Sequence, residues 1–321
     1  MLEHSLAPEF QRGLDIALGD SLAPGGLTDV VKTYLFSCTI DNKSPKTINS
    51  YGRRLRDFLR FLKAQNIEQM PQITSDIIRL YLMSLYQRNL EPSTINACYR
   101  VLSALFTWLV EWKQIKRNPI AHIKAPKYPE KVIAPLRQEH IGRLLLLCDD
   151  DSFLSLRNKA IFLTFLDTGL RLSELASVQL PDIDFNRGVI KVMGKGAKER
   201  FVAIGKRTQK TILRYLLTRS DNYSCLWVTE ERRPLTWRGI QTMIKRLGKR
   251  AGIIGVRCSS HTFRHTFATQ ALLNGAGEFE VQSLLGHSTL TMTRRYVASL
   301  NSENAVISHK KFSPVDRLFS K

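Results

Sequence analysis

The amino-acid sequence predicts a mainly helical protein of two domains, the second carrying a small antiparallel β-sheet. Three observations lead there. Apolar residues recur at helical spacing along most of the chain, residues 121–136 break that pattern, and one pair of β-branched segments flanks a glycine-rich turn. With 321 residues, 43% of them hydrophobic and 9% aromatic, the chain has enough apolar material for two cores.

Residues 1–27 contain LAPEF and LAPGG without a sustained period and read as a tail. From Thr28 the pattern turns helical, with Val30, Val31, Tyr34 and Leu35 on one stripe and Tyr51, Leu55, Phe58, Leu59 and Leu62 on the next. Ser44 is placed to cap the second of these helices. Pro45 follows at the first helical position, where a missing N–H costs nothing. Helices over 75–87 and 93–112 complete a first domain spanning 28–120. Three prolines and several lysines then make 121–136 the most linker-like stretch, ahead of a second domain over 137–298 and a C-terminal segment over 299–321.

In the second domain the spacing predicts helices near 138–148, 157–168, 173–180, 207–219, 236–250, 262–273 and 278–285. The segments 188–193 and 200–204 flank GKGAKE and read as a hairpin; 225–228 is a candidate third strand.

Charge narrows the function. Lys and Arg number 48 against 28 Asp and Glu, a net +20, and both domains are basic. Such an excess favours a polyanionic partner through counterion release, although ribosomal and membrane-surface proteins share it. The five cysteines Cys38, Cys98, Cys148, Cys225 and Cys258 are scattered, odd in number and without CxxC spacing. That argues for a reducing compartment and against a disulfide framework or a cysteine zinc site. The sequence lacks an apolar run of about 18 residues and a secretory start, so a soluble cytoplasmic protein without a membrane partner is expected.

Breaking a phosphodiester without metal or water needs a side-chain nucleophile, cations on the non-bridging oxygens, a proton donor for the leaving oxygen and a base. Candidates occur at several points. In LDTGLRLSEL, Gly169 can end one helix, Ser173 can cap the next, and Arg171 sits at the junction; the same spacing serves a surface arginine paired with Glu174. In SHTFRHTFATQALL, His261 and Arg264 share a helical face, and Phe263, Phe267 and Leu272 can build the core side. His265 lies four residues from His261, but Thr262 stands where a zinc protease needs Glu, so His265 reads as a packed histidine. His287 follows Gly286, and Tyr296 follows Arg294 and Arg295; a lone tyrosine is more often half-buried core. Lys195 sits at the hairpin turn, where it can reach a DNA groove or a leaving alkoxide, or simply face water.

Taken in order, TGLRLSEL, GKGAKER, HTFRHTFAT, LLGH and RRY resemble the catalytic signature of tyrosine recombinases, the phage integrase family. The span from Thr28 to Tyr296 is similar to its Xer subgroup. The resemblance implies a helical, SAM-like core-binding domain ahead of a mostly α catalytic domain with a small sheet. It also implies six active-site residues, Arg171, Lys195, His261, Arg264, His287 and the nucleophile Tyr296, with no cofactor and no metal. The implied partner is double-stranded DNA with paired inverted half-sites, held by a homo-tetramer or by a hetero-tetramer with a second recombinase. The C-terminal segment, with Phe312, Leu318 and Phe319, is expected to dock on a neighbouring protomer.

Some features sort the subtypes. The residues before the first helix are too few for an arm-binding domain, and the span from Lys195 to His261 is too short for an integron-type insertion. The N-terminal extension favours a mobile-element recombinase over a chromosome-dimer resolvase. Glu278 and Glu280 in GAGEFEVQ depart from the family's usual residues, and nothing in the sequence explains them. The alternatives are a type IB topoisomerase, which the motif order fits less well, and a DNA-binding architectural protein, which has no need of Tyr296.

Overall fold

The computed structural model describes residues 26–128, 134–194 and 199–286. The chain forms two compact units, residues 1–130 and 131–321.

Among its described residues the first unit holds the α-helices α1 (Leu27–Ile40), α2 (Pro45–Ala64), α3 (Ser75–Gln87) and α4 (Pro92–Glu111). Ser44 caps α2 as its sequence position suggests: its Oγ accepts from the Thr47 N–H at 3.2 Å, and Pro45 opens the helix. The apolar stripes meet in one core containing Leu35, Leu55, Phe58, Ile78, Tyr81 and Phe106. The Phe58 and Tyr81 rings meet edge to face at 4.9 Å. The buried Tyr81 hydroxyl donates to Asp57 Oδ2 at 3.1 Å, so its polar end is not left without a partner.

The second unit comprises α5 (Gln138–Leu146), α6 (Phe153–Thr168), α7 (Leu172–Ser177), β1 (Ile183–Asp184), β2 (Val189–Met193), β3 (Glu199–Ala203), α8 (Lys206–Leu217), α9 (Trp237–Arg250), α10 (Ser260–Leu273) and α11 (Glu278–Leu285). Helix α6 is buried on several faces and lacks a polar stripe, as expected of a central helix. Phe263 of α10 stacks on Phe162 and Phe165 of α6, with centroids 5.4 and 5.7 Å apart. The strands pair antiparallel in the order β1-β2-β3, with Ile190 opposite Val202 on the buried face. Among the described residues no helix is long and apolar enough to cross a membrane.

The structure corrects three local expectations. Residues 225–228 do not join the sheet, whose third strand is β1. Leu226, Trp227 and Val228 are all buried in succession, so the segment threads the core and makes only isolated bridges, Gln179 with Cys225 and Val228 with Pro234. A strand with one wet face would alternate instead. Helix α6 begins at Phe153 rather than 157, because Ser152 accepts the Ser155 N–H and so caps it earlier. Ser173 does not cap α7 but lies inside it; the N-cap is Arg171, and the Glu174 carboxylate accepts the Arg171 N–H at 2.8 Å.

Candidate active site

The site grows from the corner where α6 ends. Gly169 turns the chain in the left-handed region at φ 60°. A side chain there would have its Cβ 2.4 Å from Phe267 Cδ1 and 2.7 Å from Leu285 Cδ2, so α10 and α11 press directly on the turn. Arg171 follows at the head of α7. Its Nη1 donates to Glu174 Oε1 at 2.8 Å and its Nη2 to the Gly286 carbonyl at 3.1 Å.

Two further arginines reach the same place from other elements. Arg264 of α10 donates from Nη1 to the Gly169 carbonyl at 2.8 Å and from Nη2 to the Leu285 carbonyl at 2.7 Å. Arg200 of β3 forks onto Glu174, Nη1 to Oε1 and Nη2 to Oε2, both at 2.9 Å, and its Nε donates to the Leu284 carbonyl at 3.3 Å. Three successive carbonyls at the end of α11, Leu284, Leu285 and Gly286, are thus each met by a different arginine. The last carbonyls of a helix have no partner within it and carry its negative dipole end, so cations are favoured there. Gly286 closes α11 at φ 63°, and a Cβ on it would lie 3.2 Å from three atoms of the Arg200 guanidinium.

Glu174 is the counter-charge at the centre, only 5% exposed. Burial alone would raise its pKa. The Arg200 fork, the Arg171 N–H and the Arg171 guanidinium outweigh that and hold it at about 2, against 4.5 ordinarily. Glu174 therefore bonds two guanidinium groups, those of Arg171 and Arg200, while Arg264 is held by carbonyls of the same corner, and Arg171 keeps 32% of its side chain open to solvent. A surplus of planar, permanently charged donors at an open edge suits a tetrahedral oxyanion such as a phosphate.

The structure brings Arg171 and Arg264 together across a long stretch of sequence. His261 lies one turn before Arg264 on α10 and is exposed, whereas His265 is buried. Phe263 is fully buried, and Phe267 and Leu272 pack partly buried against the smaller cluster formed by Ala268, Val281 and Leu285. Lys195, His287 and Tyr296 lie outside the described residues, as does the C-terminal segment. Motif reasoning missed Arg200 and gave Glu174 only the role of a surface partner. A signal was present for both. In β3, Arg200 alternates with exposed Glu199 and Phe201 and shares a face with buried Val202, so a charge at that position needs an acid to meet it.

Comparison with known proteins places the chain. Residues 135–303 match the phage integrase family, and residues 32–115 match the N-terminal SAM-like domain of phage integrases. The chain belongs to the phage integrase family of tyrosine recombinases. The recombinase is 35% identical over 265 residues to the tyrosine recombinase XerC of Halalkalibacterium halodurans, covering 79% of this chain and 87% of that one. It is 31% identical over 260 residues to XerD of the same organism, with coverage of 79% and 87%. The crystal structure of the XerH site-specific recombinase bound to a palindromic difH substrate, a post-cleavage complex, superimposes with a TM-score of 0.71. At 17% identity, covering 94% of each chain, that likeness shows the fold. The recombinase is accordingly a site-specific enzyme that cleaves and rejoins DNA.

Proposed function

We propose that the recombinase cuts each DNA strand by attack of the Tyr296 phenol on the scissile phosphorus, forming a 3′-phosphotyrosyl bond as the bond to the 5′-oxygen breaks. Arg171 and Arg264 hold the non-bridging oxygens. Lys195 gives its proton to the departing 5′-oxygen, His261 takes the phenol proton, and His287 hydrogen-bonds the phosphate. The phosphotyrosyl ester conserves the bond energy, so the 5′-hydroxyl of a partner strand reverses the step with no energy source. The observation that carries this reading is the meeting of Arg171 and Arg264 at consecutive carbonyls, Gly286 and Leu285, with more positive charge than Glu174 neutralises. Donors set in advance around an oxyanion are the largest contribution to such catalysis.

The substrate is duplex DNA with inverted half-sites, inside the cell, and the excess of 48 basic over 28 acidic side chains binds its backbone. Residues 28–120 form the core-binding domain and 137–298 the catalytic domain. Four protomers hold two duplexes, with residues 299–321 docking on a neighbour. The palindromic substrate of the XerH complex supports the inverted half-sites.

A denaturing gel tests the chemistry. The purified recombinase is mixed with nicked duplexes covering DNA that flanks its own gene, without magnesium, beside Tyr296→Phe. A protein–DNA adduct through a 3′-phosphate is expected for the wild type alone. Tight binding without an adduct, persisting across a randomised site library, overturns the reading in favour of a DNA-binding protein.

A further inference from the structure

We propose that Arg200 is a positioning residue for the phosphate clamp: it pairs with both oxygens of Glu174 through its two terminal nitrogens and so keeps Arg171 from turning its own fork onto that carboxylate and away from the scissile phosphate. This rests on the role proposed above for Arg171.

The geometry shows how. Each oxygen of Glu174 accepts twice, Oε1 from Arg171 Nη1 and Arg200 Nη1, and Oε2 from the Arg171 N–H and Arg200 Nη2. Arg200 makes the two-pronged pairing and Arg171 only a single-pronged one. Arg171 spends its other terminal nitrogen on Gly286, at the edge of the site. A guanidinium and a carboxylate prefer the parallel two-bond arrangement. Without Arg200, Arg171 is the nearest cation able to take that place on a carboxylate that is 5% exposed and cannot turn to water. Its fork would then face Glu174 instead of a phosphate.

Arg200 also grips the backbone that Arg171 and Arg264 use. Its Nε donates to Leu284, and its guanidinium lies against Gly286, where an added Cβ would stand 3.2 Å away. It belongs to β3, which begins at Glu199, four residues after Lys195 in the sequence. One side chain therefore ties the sheet to the head of α7 and the end of α11. The fork matters as much as the charge, because a lysine's single nitrogen cannot reproduce two parallel bonds to the carboxylate with a third donor turned to Leu284.

The test is single-turnover cleavage by full-length recombinase at saturating nicked duplex, with DNA affinity and thermal midpoint measured alongside. Arg200→Ala is expected to bind within about threefold of wild type and to cleave about 100-fold more slowly. Arg200→Lys keeps the counter-charge for Glu174 and guards against an unfolded alanine variant; it is expected to keep the wild-type thermal midpoint and still cleave about 10-fold more slowly. In an Arg171→Ala background, Arg200→Ala should cost less than about threefold more, because both changes remove one function. A neutral methylphosphonate at the scissile position, which asks less of the clamp, should shrink the Arg200→Ala defect in the same way. Full cleavage by Arg200→Lys, or losses that multiply in the double variant, overturn the proposal. Failure of wild type to form any adduct instead sinks the recombinase chemistry itself, so the two failures are distinguishable.

Discussion

Two of the arginine–carboxylate forks among the described residues join through both terminal nitrogens and differ in surroundings. In the first unit Arg88 meets Asp57 with bonds of 2.9 and 3.1 Å, the arginine side chain being 51% exposed. In the second Arg200 meets Glu174 with two bonds of 2.9 Å, and only 15% of the arginine side chain is exposed. Water solvates the groups of the first fork if it opens; the second has no such substitute. The same pairing is therefore a surface ornament in one place and a structural joint in the other. Both carboxylates are shared, Asp57 with the neutral Tyr81 hydroxyl and Glu174 with a second cation, Arg171, and the arginines around Glu174 cap the end of α11.

Removing the shared carboxylate should have the largest effect. Glu174→Ala leaves two arginines without their counter-charge, and a loss of about 3–5 kcal/mol in urea unfolding is expected, with cleavage abolished. Glycine at the helix end comes next. Gly286→Ala is expected to lose about 1–2 kcal/mol from its left-handed backbone, and more from crowding Arg200. Gly255 supplies the control, since its φ is 79° but nothing lies within 4 Å of an added Cβ; Gly255→Ala should cost the backbone strain only. Equal losses at the two glycines would show that Arg200 does not press on Gly286.

A pH profile probes the buried fork without changing its shape. The Glu174 pKa is lowered on folding, so its pairing stabilises the protein fully above about pH 4.5, and that contribution falls away as pH drops toward about 2. Unfolding midpoints of the wild type should therefore fall more steeply over that window than those of Glu174→Gln. Parallel profiles would count against a charged Glu174 in the folded state. The smallest effect belongs to the exposed fork. Arg88→Ala should cost no more than about 1 kcal/mol and leave cleavage unchanged.

Much of the fold was legible because the signals are local. Ser44 with Pro45 starts α2, Gly169 ends α6, and periodic apolar residues mark most of the helices. The family was legible because its residues lie in short ordered motifs. What stayed hidden depends on contacts distant in sequence. Residues 225–228 have the composition of a strand, yet the core takes three of their side chains in a row. Glu174 was visible as a neighbour of Arg171, but only folding brings Arg200 across to it and makes it a buried hub. Arg200 sat in plain view within GKGAKER, but a strand arginine declares its partner only once the sheet is placed.

The central claim is that strand cleavage proceeds through Tyr296. The most direct measurement is to trap the covalent complex on nicked DNA, digest both components and identify the modified peptide by mass spectrometry. The account requires a single nucleotide adduct, on Tyr296, joined through a 3′-phosphate. An adduct on any other residue, or a cleaved strand ending in a 5′-phosphate, would contradict it.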